Sequence, residues 1–113
     1  MSEPSHSTRS KKEFDMLLLD AIDRGLMALG ESVMESIYYH LEKTYSIKRD
    51  EIPNRLEDFS SGLERMFGTG GKVMEKLIVE ELHSRLRSKF EERAGHGFAD
   101  CVNEAKARYL RTV

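Results

Sequence analysis

Asp50-Glu-Ile-Pro-Asn-Arg-Leu-Glu-Asp-Phe59, followed by Leu63-Glu-Arg-Met-Phe-Gly-Thr-Gly-Gly-Lys-Val-Met-Glu-Lys-Leu-Ile-Val79, spells a helix start, a helix stop and a restart within thirty positions. Pro53 disfavours helix at Ile52, and Asn54 with Glu57 three residues later matches the reciprocal capping arrangement, so a helix is predicted from Arg55. Its apolar positions, Leu56, Phe59, Leu63, Met66 and Phe67, keep helical spacing. Gly68 can take the left-handed conformation that closes a helix, and Thr69, Gly70 and Gly71 are expected to keep this helix from merging with the next. That next helix is predicted over about Gly71 to Glu91, with Met74, Ile78, Leu82, Leu86 and Phe90 at four-residue intervals and Leu77 beside them.

The same periodicity extends outward in both directions. A helix predicted from near Lys12 carries Phe14, Leu18, Ile22, Leu26 and Leu29 and ends at Gly30; another follows with Val33, Ile37, Leu41 and Tyr45 on one face. So short a link turns the second helix back on the first. Between Ser46 and Pro53 the pattern lapses, leaving Ile47 and Ile52 as apolar anchors of a loop or single turn. After a break at Ala94-Gly-His-Gly97, a last helix from about Phe98 to Leu110 aligns Phe98, Val102, Ala105 and Tyr109, with Lys106, Arg108 and Arg111 near its end, where cations favour the helix dipole. No alternating run is long enough for a strand. The fold class is all-α: a leader over residues 1–11, expected to be disordered, then one compact domain of about five helices over 12–113, an orthogonal array or a bundle.

Composition agrees with this. A chain of 113 residues, 39% hydrophobic and 34% charged, suits one ordered domain and is too apolar for a disordered chain. Two prolines and no tryptophan, with plentiful straight-chain residues, favour helix. A net charge of −2 supplies no long-range field for polyanions, which counts against nucleic acid. A single cysteine, Cys101, forms no internal disulfide and fits a reducing, cytoplasmic setting. The first ten residues lack the apolar core of a secretion signal and the arginine-rich amphipathic pattern of a mitochondrial one. Met16-Leu-Leu-Leu19 is closed by Asp20 and Asp23, far short of a membrane span.

Sites that could carry chemistry are few. Phe67-Gly-Thr-Gly-Gly-Lys-Val73 invites comparison with a phosphate-binding loop, but Met66 stands where the first glycine belongs, Val73 where a magnesium-binding hydroxyl belongs, and a helix precedes it where a strand is required. Small residues that let two helices approach are the simpler account, with a weak anion site at Gly70, Gly71 and Lys72 kept as a minor candidate. His6, His40, His83 and His96 show no metal-ligand spacing, and no cofactor or metal is expected. His40 beside Tyr38 and Tyr39 suggests the margin of the core, or a ligand pocket formed by Tyr38, Tyr39 and His40. Cys101 reads as a small hydrophobe, with nothing beside it to activate a thiolate. The Glu80-Glu81 and Glu91-Glu92 pairs sit among Arg85, Arg87, Lys89 and Arg93 as a solvated, ion-paired face.

Leu29-Gly-Glu-Ser-Val-Met-Glu-Ser-Ile-Tyr-Tyr-His-Leu-Glu42, Glu51-Ile-Pro53 with Phe59, Leu63-Glu-Arg-Met-Phe-Gly68 with Gly71-Lys72 and Ile78-Val79, and Gly97-Phe98-Ala-Asp100 together resemble a family of small archaeal helical domains of the Nitrosopumilus output domain type, across roughly residues 17–106. The resemblance implies an archaeal, cytoplasmic, all-helical protein and carries over no activity, cofactor or catalytic residue. The functional expectation is therefore a non-enzymatic protein-interaction or signalling-output module with a protein partner, a homodimer being one form of it. It is motivated by the surplus of apolar side chains at Met16, Leu17, Leu19, Met27 and Met34. A DNA-binding regulator acting through paired helices and a small-ligand sensor near Tyr38, Tyr39 and His40 stand as alternatives.

Overall fold

Ser10 and Glu13 fix where the ordered chain begins. The Ser10 hydroxyl accepts the Glu13 amide at 3.1 Å while the Glu13 carboxylate accepts the Ser10 amide at 3.2 Å, a reciprocal cap that satisfies two otherwise orphaned donors. The computed structural model describes residues 10–87 and 97–111. Lys11 already belongs to the first helix, so residue 11 is not leader; residues 1–9 of the expected leader lie outside the described residues. The elements are α1 (Lys11–Met27), α2 (Glu31–Tyr45), a 3-10 turn (Arg49–Asn54), α3 (Leu56–Phe67), α4 (Thr69–Leu86) and α5 (Phe98–Arg111), with no strand among the described residues. The protein is an all-α, bundle-like single domain.

The stripes expected from spacing form the core. Phe14, Leu18, Ile22 and Leu26 of α1, Ile37 and Leu41 of α2, Leu56, Phe59 and Leu63 of α3, Met74, Ile78 and Leu82 of α4, and Phe98, Val102 and Ala105 of α5 are all buried, together with Ile47 and Ile52 on either side of the turn. Residues that close a helix are less covered. Leu29 and Val33, which flank the Gly30 corner, and Phe67, at the end of α3, each remain 37–39% exposed, because the chain turns away before a neighbouring helix reaches them.

Three expectations about boundaries and one about a buried face are corrected. The helix predicted from Arg55 starts one residue later, and the Asn54–Glu57 cap does not form. Arg55 is the cap residue and supplies no side-chain capping bond, Asn54 instead accepts the Lys11 ammonium at 3.0 Å, and the carboxylate that caps a helix start in this region is that of Glu51, six residues before Glu57, which accepts the Lys48 amide at 2.9 Å. Thr69, Gly70 and Gly71 do not separate the helices; they form the first turn of α4, and Gly68 alone, at φ +59°, makes the corner. The predicted end of the fourth helix near Glu91 moves back to Leu86, where Arg87 adopts a left-handed conformation at φ +58°; Phe90 lies outside the described residues. Finally, the flank of the α4 stripe is Glu75, Val79 and His83, all buried, and Leu77 is half-buried on the other side.

α4 is the hub of the bundle, in contact with α1, α3 and α5, while α2 leans on α1 and α3. Two glycines set how closely it packs. A Cβ on Gly25 of α1 would lie 2.9 Å from Ile78 Cγ1 and 3.1 Å from its Cα, and a Cβ on Gly71 would lie 2.8 Å from the Leu63 carbonyl oxygen. Aromatic contacts close the remaining seams: Phe14 meets Tyr109 with ring centroids 5.7 Å apart, and Phe59 meets Phe98 at 5.6 Å.

Gly25→Ala and Gly71→Ala should each destabilise the fold by about 1–3 kcal/mol, since backbone must move to admit the methyl group. Gly70→Ala, whose added Cβ would meet nothing closer than Phe67 Cβ at 3.6 Å, should be neutral or stabilising by up to about 1 kcal/mol, because alanine favours helix. Urea unfolding of the three variants checks the contrast.

Candidate functional site

Two polar clusters interrupt the apolar interior, and both join helices distant in sequence. The first binds α1, α2 and the 3-10 turn. Asp23 accepts the Tyr38 hydroxyl at 2.6 Å and both the Nε and Nη2 of Arg49, at 3.0 and 2.6 Å. The two-pronged guanidinium contact fixes the direction of the carboxylate, and the phenol shares Oδ1 with the Arg49 Nε. Burial, and then the Asp23 charge beside it, push the Tyr38 phenol above its ordinary range, so the ring stays neutral and acts as a donor. Every member has a partner within the cluster, which makes this a structural clip.

The second cluster lies where α3 meets α4. Glu75 is the one buried carboxylate among the described residues, 7% exposed. Its Oε2 accepts the Ser60 hydroxyl at 2.7 Å; the same hydroxyl stands 3.4 Å from Glu64 Oε2, and Lys72 Nζ lies 3.6 Å from Glu64. Burial pushes the Glu75 carboxyl up to about 7, with the hydrogen bond from Ser60 opposing and the Glu64 charge reinforcing the shift. His83, on the same buried stripe two turns further on, is held below its ordinary range by burial and then by the charge of Arg108.

Sequence reasoning missed both Glu75 and His83 as inward residues. The signal was present, since 71, 74, 75, 78, 79, 82 and 83 follow the i, i+3, i+4 register of a core face. A carboxylate and an imidazole at two of those positions hide the register, because the stripe is read from apolar residues alone.

The candidates expected from sequence are dispersed. Tyr38 belongs to the Asp23 clip, whereas Tyr39 and His40 point to solvent with their rings edge-to-face at 5.6 Å, and Lys43 lies 5.9 Å from the Tyr39 ring centre. Gly70, Gly71 and Lys72 form the first turn of α4. The Gly71 amide donates to the Gly68 carbonyl at 3.0 Å, Gly71 is buried against α3, and the Lys72 ammonium turns toward Glu64. Cys101 is half-buried against the core.

Shallow grooves line the surface. A space of about 490 Å³ separates Pro53–Asp58 from Ala99, Asn103 and Lys106 of α5, and one of about 330 Å³ runs between Tyr45 and Arg65 over Gly62. Neither holds Glu75, His83 or the Tyr38–Asp23 pair. Among the described residues, no three His, Cys, Asp or Glu side chains gather as metal ligands, and no helix is long and apolar enough to cross a membrane. Comparison with protein-family models, curated proteins and solved structures finds no match for this chain.

The Asp23 clip makes a graded prediction. Tyr38→Phe leaves the carboxylate its arginine and should cost about 1 kcal/mol. Asp23→Ala strands the half-buried phenol as well and should cost more, about 2 kcal/mol, with the partly exposed arginine contributing under about 1 kcal/mol of it. Chemical denaturation of the two variants measures the order; equal, negligible losses would show that the clip is not formed.

Proposed function

We propose that this protein is a non-enzymatic interaction module of the signalling-output kind, working in the cytoplasm through an apolar surface at one end of the bundle. The observation that carries this reading is that five of the eight exposed large apolar side chains among the described residues lie at two helix corners, while Met16, Tyr39 and Leu110 stand elsewhere. Phe67 and Val73 are 39% and 60% exposed at the α3–α4 corner, and Met27, Leu29 and Val33 are 44%, 39% and 37% exposed around the α1–α2 corner.

The two corners face the same end. Phe14, near the start of α1, stacks on Tyr109, and His83, in the second half of α4, feels the charge of the adjacent Arg108, so both helices approach the C-terminal part of α5 there. Gly25, eleven residues further along α1, meets Ile78, which precedes His83 on α4. α1 and α4 thus run in opposite directions, and the end of α1 lies toward the start of α4. Scattered single apolar residues are ordinary on a surface, but five around two neighbouring corners, two of them glycine-formed, make a surface suited to covering.

The reading takes its archaeal, output-domain character from the resemblance to the Nitrosopumilus output domain type and its partner, another protein or a second copy of the chain, from the exposed corners alone.

Sedimentation of the wild type and of the Phe67→Ser/Val73→Ser double variant tests the reading. Each exposed position should change stability by less than about 0.5 kcal/mol, so a loss of association reports the surface itself. The wild type should self-associate reversibly, or bind the apolar probe ANS, and the double variant should do neither. A strictly monomeric wild type that leaves ANS dark would contradict the proposal.

A further inference from the structure

Ser60 carries one hydroxyl proton between two carboxylates, and the geometry decides what that implies. Its oxygen stands 2.7 Å from Glu75 and 3.4 Å from Glu64. With Glu75 protonated, the acid donates to the Ser60 oxygen and the serine donates on to Glu64, so each group has a partner. With Glu75 ionised, two anions compete for one donor, and the inner one is almost fully withdrawn from water. The charged groups with the largest effect on Glu75 among the described residues are Glu64 from α3 and Lys72 from its own helix, and Lys72, its side chain 70% exposed, leans on Glu64. It therefore offsets the outer charge better than the inner one.

The cluster is joined mechanically to the helix corner. Gly71, one turn before Glu75, sits where an added Cβ would meet the Leu63 carbonyl and the Glu64 Cα, so repulsion between Glu64 and Glu75 acts next to a close backbone approach of the two helices. We propose that Ser60, Glu64 and Glu75 form a pH-sensitive latch between α3 and α4, closed while Glu75 holds a proton and loosened when it is ionised.

The direction of the effect follows from linkage. The Glu75 carboxyl in the folded protein is raised from an ordinary value of 4.5 to about 7, so its contribution to stability is complete below the lower value and is lost as pH rises through the upper one. His83 works the other way. Its folded value is depressed, so its contribution is present above its ordinary value of 6.5 and is lost as pH falls. Comparison with a variant is therefore needed to isolate the latch.

The test follows the Glu75 side-chain carboxyl carbon by NMR in the full chain between pH 4 and 9, alongside amide protection factors over residues 60–75 and thermal unfolding of the wild type, Glu75→Gln and Glu64→Gln. Glu75 should titrate with a midpoint near 7, and protection across the corner should fall above it. Glu75→Gln, which keeps a donor at that place, should hold its protection through the range, unfold at a higher temperature than the wild type at pH 8.5 and match it at pH 5. Glu64→Gln should lower the Glu75 midpoint. A Glu75 midpoint in the ordinary carboxylate range would overturn the proposal, as would a Glu75→Gln protein that loses protection at the same pH as the wild type. Should Glu75→Gln not fold, the wild-type carboxyl titration and the Glu64→Gln shift decide alone.

Discussion

The seam between α1 and α4 is the constraint on which the rest of the bundle depends. Gly25 has no side chain, and Ile78 fills the room this leaves; a Cβ there would come within 2.9 Å of the isoleucine. Ala21, one turn earlier, is completely buried beside Ile22, so α1 presents a low surface flanked by tall side chains. Close approach of this kind lets Ile78 and Leu82 lose all contact with water, which is worth about 1.5–3 kcal/mol for each such side chain. Once α1 and α4 are fixed against one another, α3 and α5 have a floor to pack on, and α2 covers the groove left between α1 and α3.

Polar clips then set register, at positions where apolar packing alone would let helices slide. Asp23 ties α1 to α2 and to the 3-10 turn, and Lys11 reaches the same turn through Asn54. Glu75 differs in kind from these contacts. Taking a carboxyl out of water is costly, and the protein meets that cost by raising its pKa and giving it a hydroxyl partner, so that at neutral pH a share of the molecules hold it uncharged. A buried acid in an otherwise apolar stripe ties the tightness of the α3–α4 corner to solution conditions, and the corner next to it carries Phe67 and Val73.

How much of this could be seen in the sequence depended on whether the deciding force was local. Stripes such as Phe14, Leu18, Ile22 and Leu26 were legible because a helix repeats every 3.6 residues regardless of its neighbours. The Gly68 corner was legible because a positive φ favours glycine, yet the following Thr69, Gly70 and Gly71 joined α4, since a poor helix former is tolerated where tertiary contact demands a missing side chain, as Gly71 shows. Arg87 closes α4 with no glycine or proline to announce it. Asn54 looked like a cap and instead serves Lys11, forty-three positions away. Glu75 and His83 occupied core register in plain view, but nothing local says that Ser60 waits opposite one of them. The exposed corners were partly foreshadowed by Met27 among the surplus apolar residues, whereas Phe67 and Val73 stand out only once the helices are placed.

The account stands or falls on the intimacy of α1 with α4. An isotope-edited NOESY spectrum of the full chain measures it most directly, because the Gly25 α-protons occupy the place a side chain would take. The account predicts strong cross-peaks from those protons to the Ile78 α-proton and γ-methylene. Fully assigned Gly25 and Ile78 resonances with no cross-peak between them would contradict it.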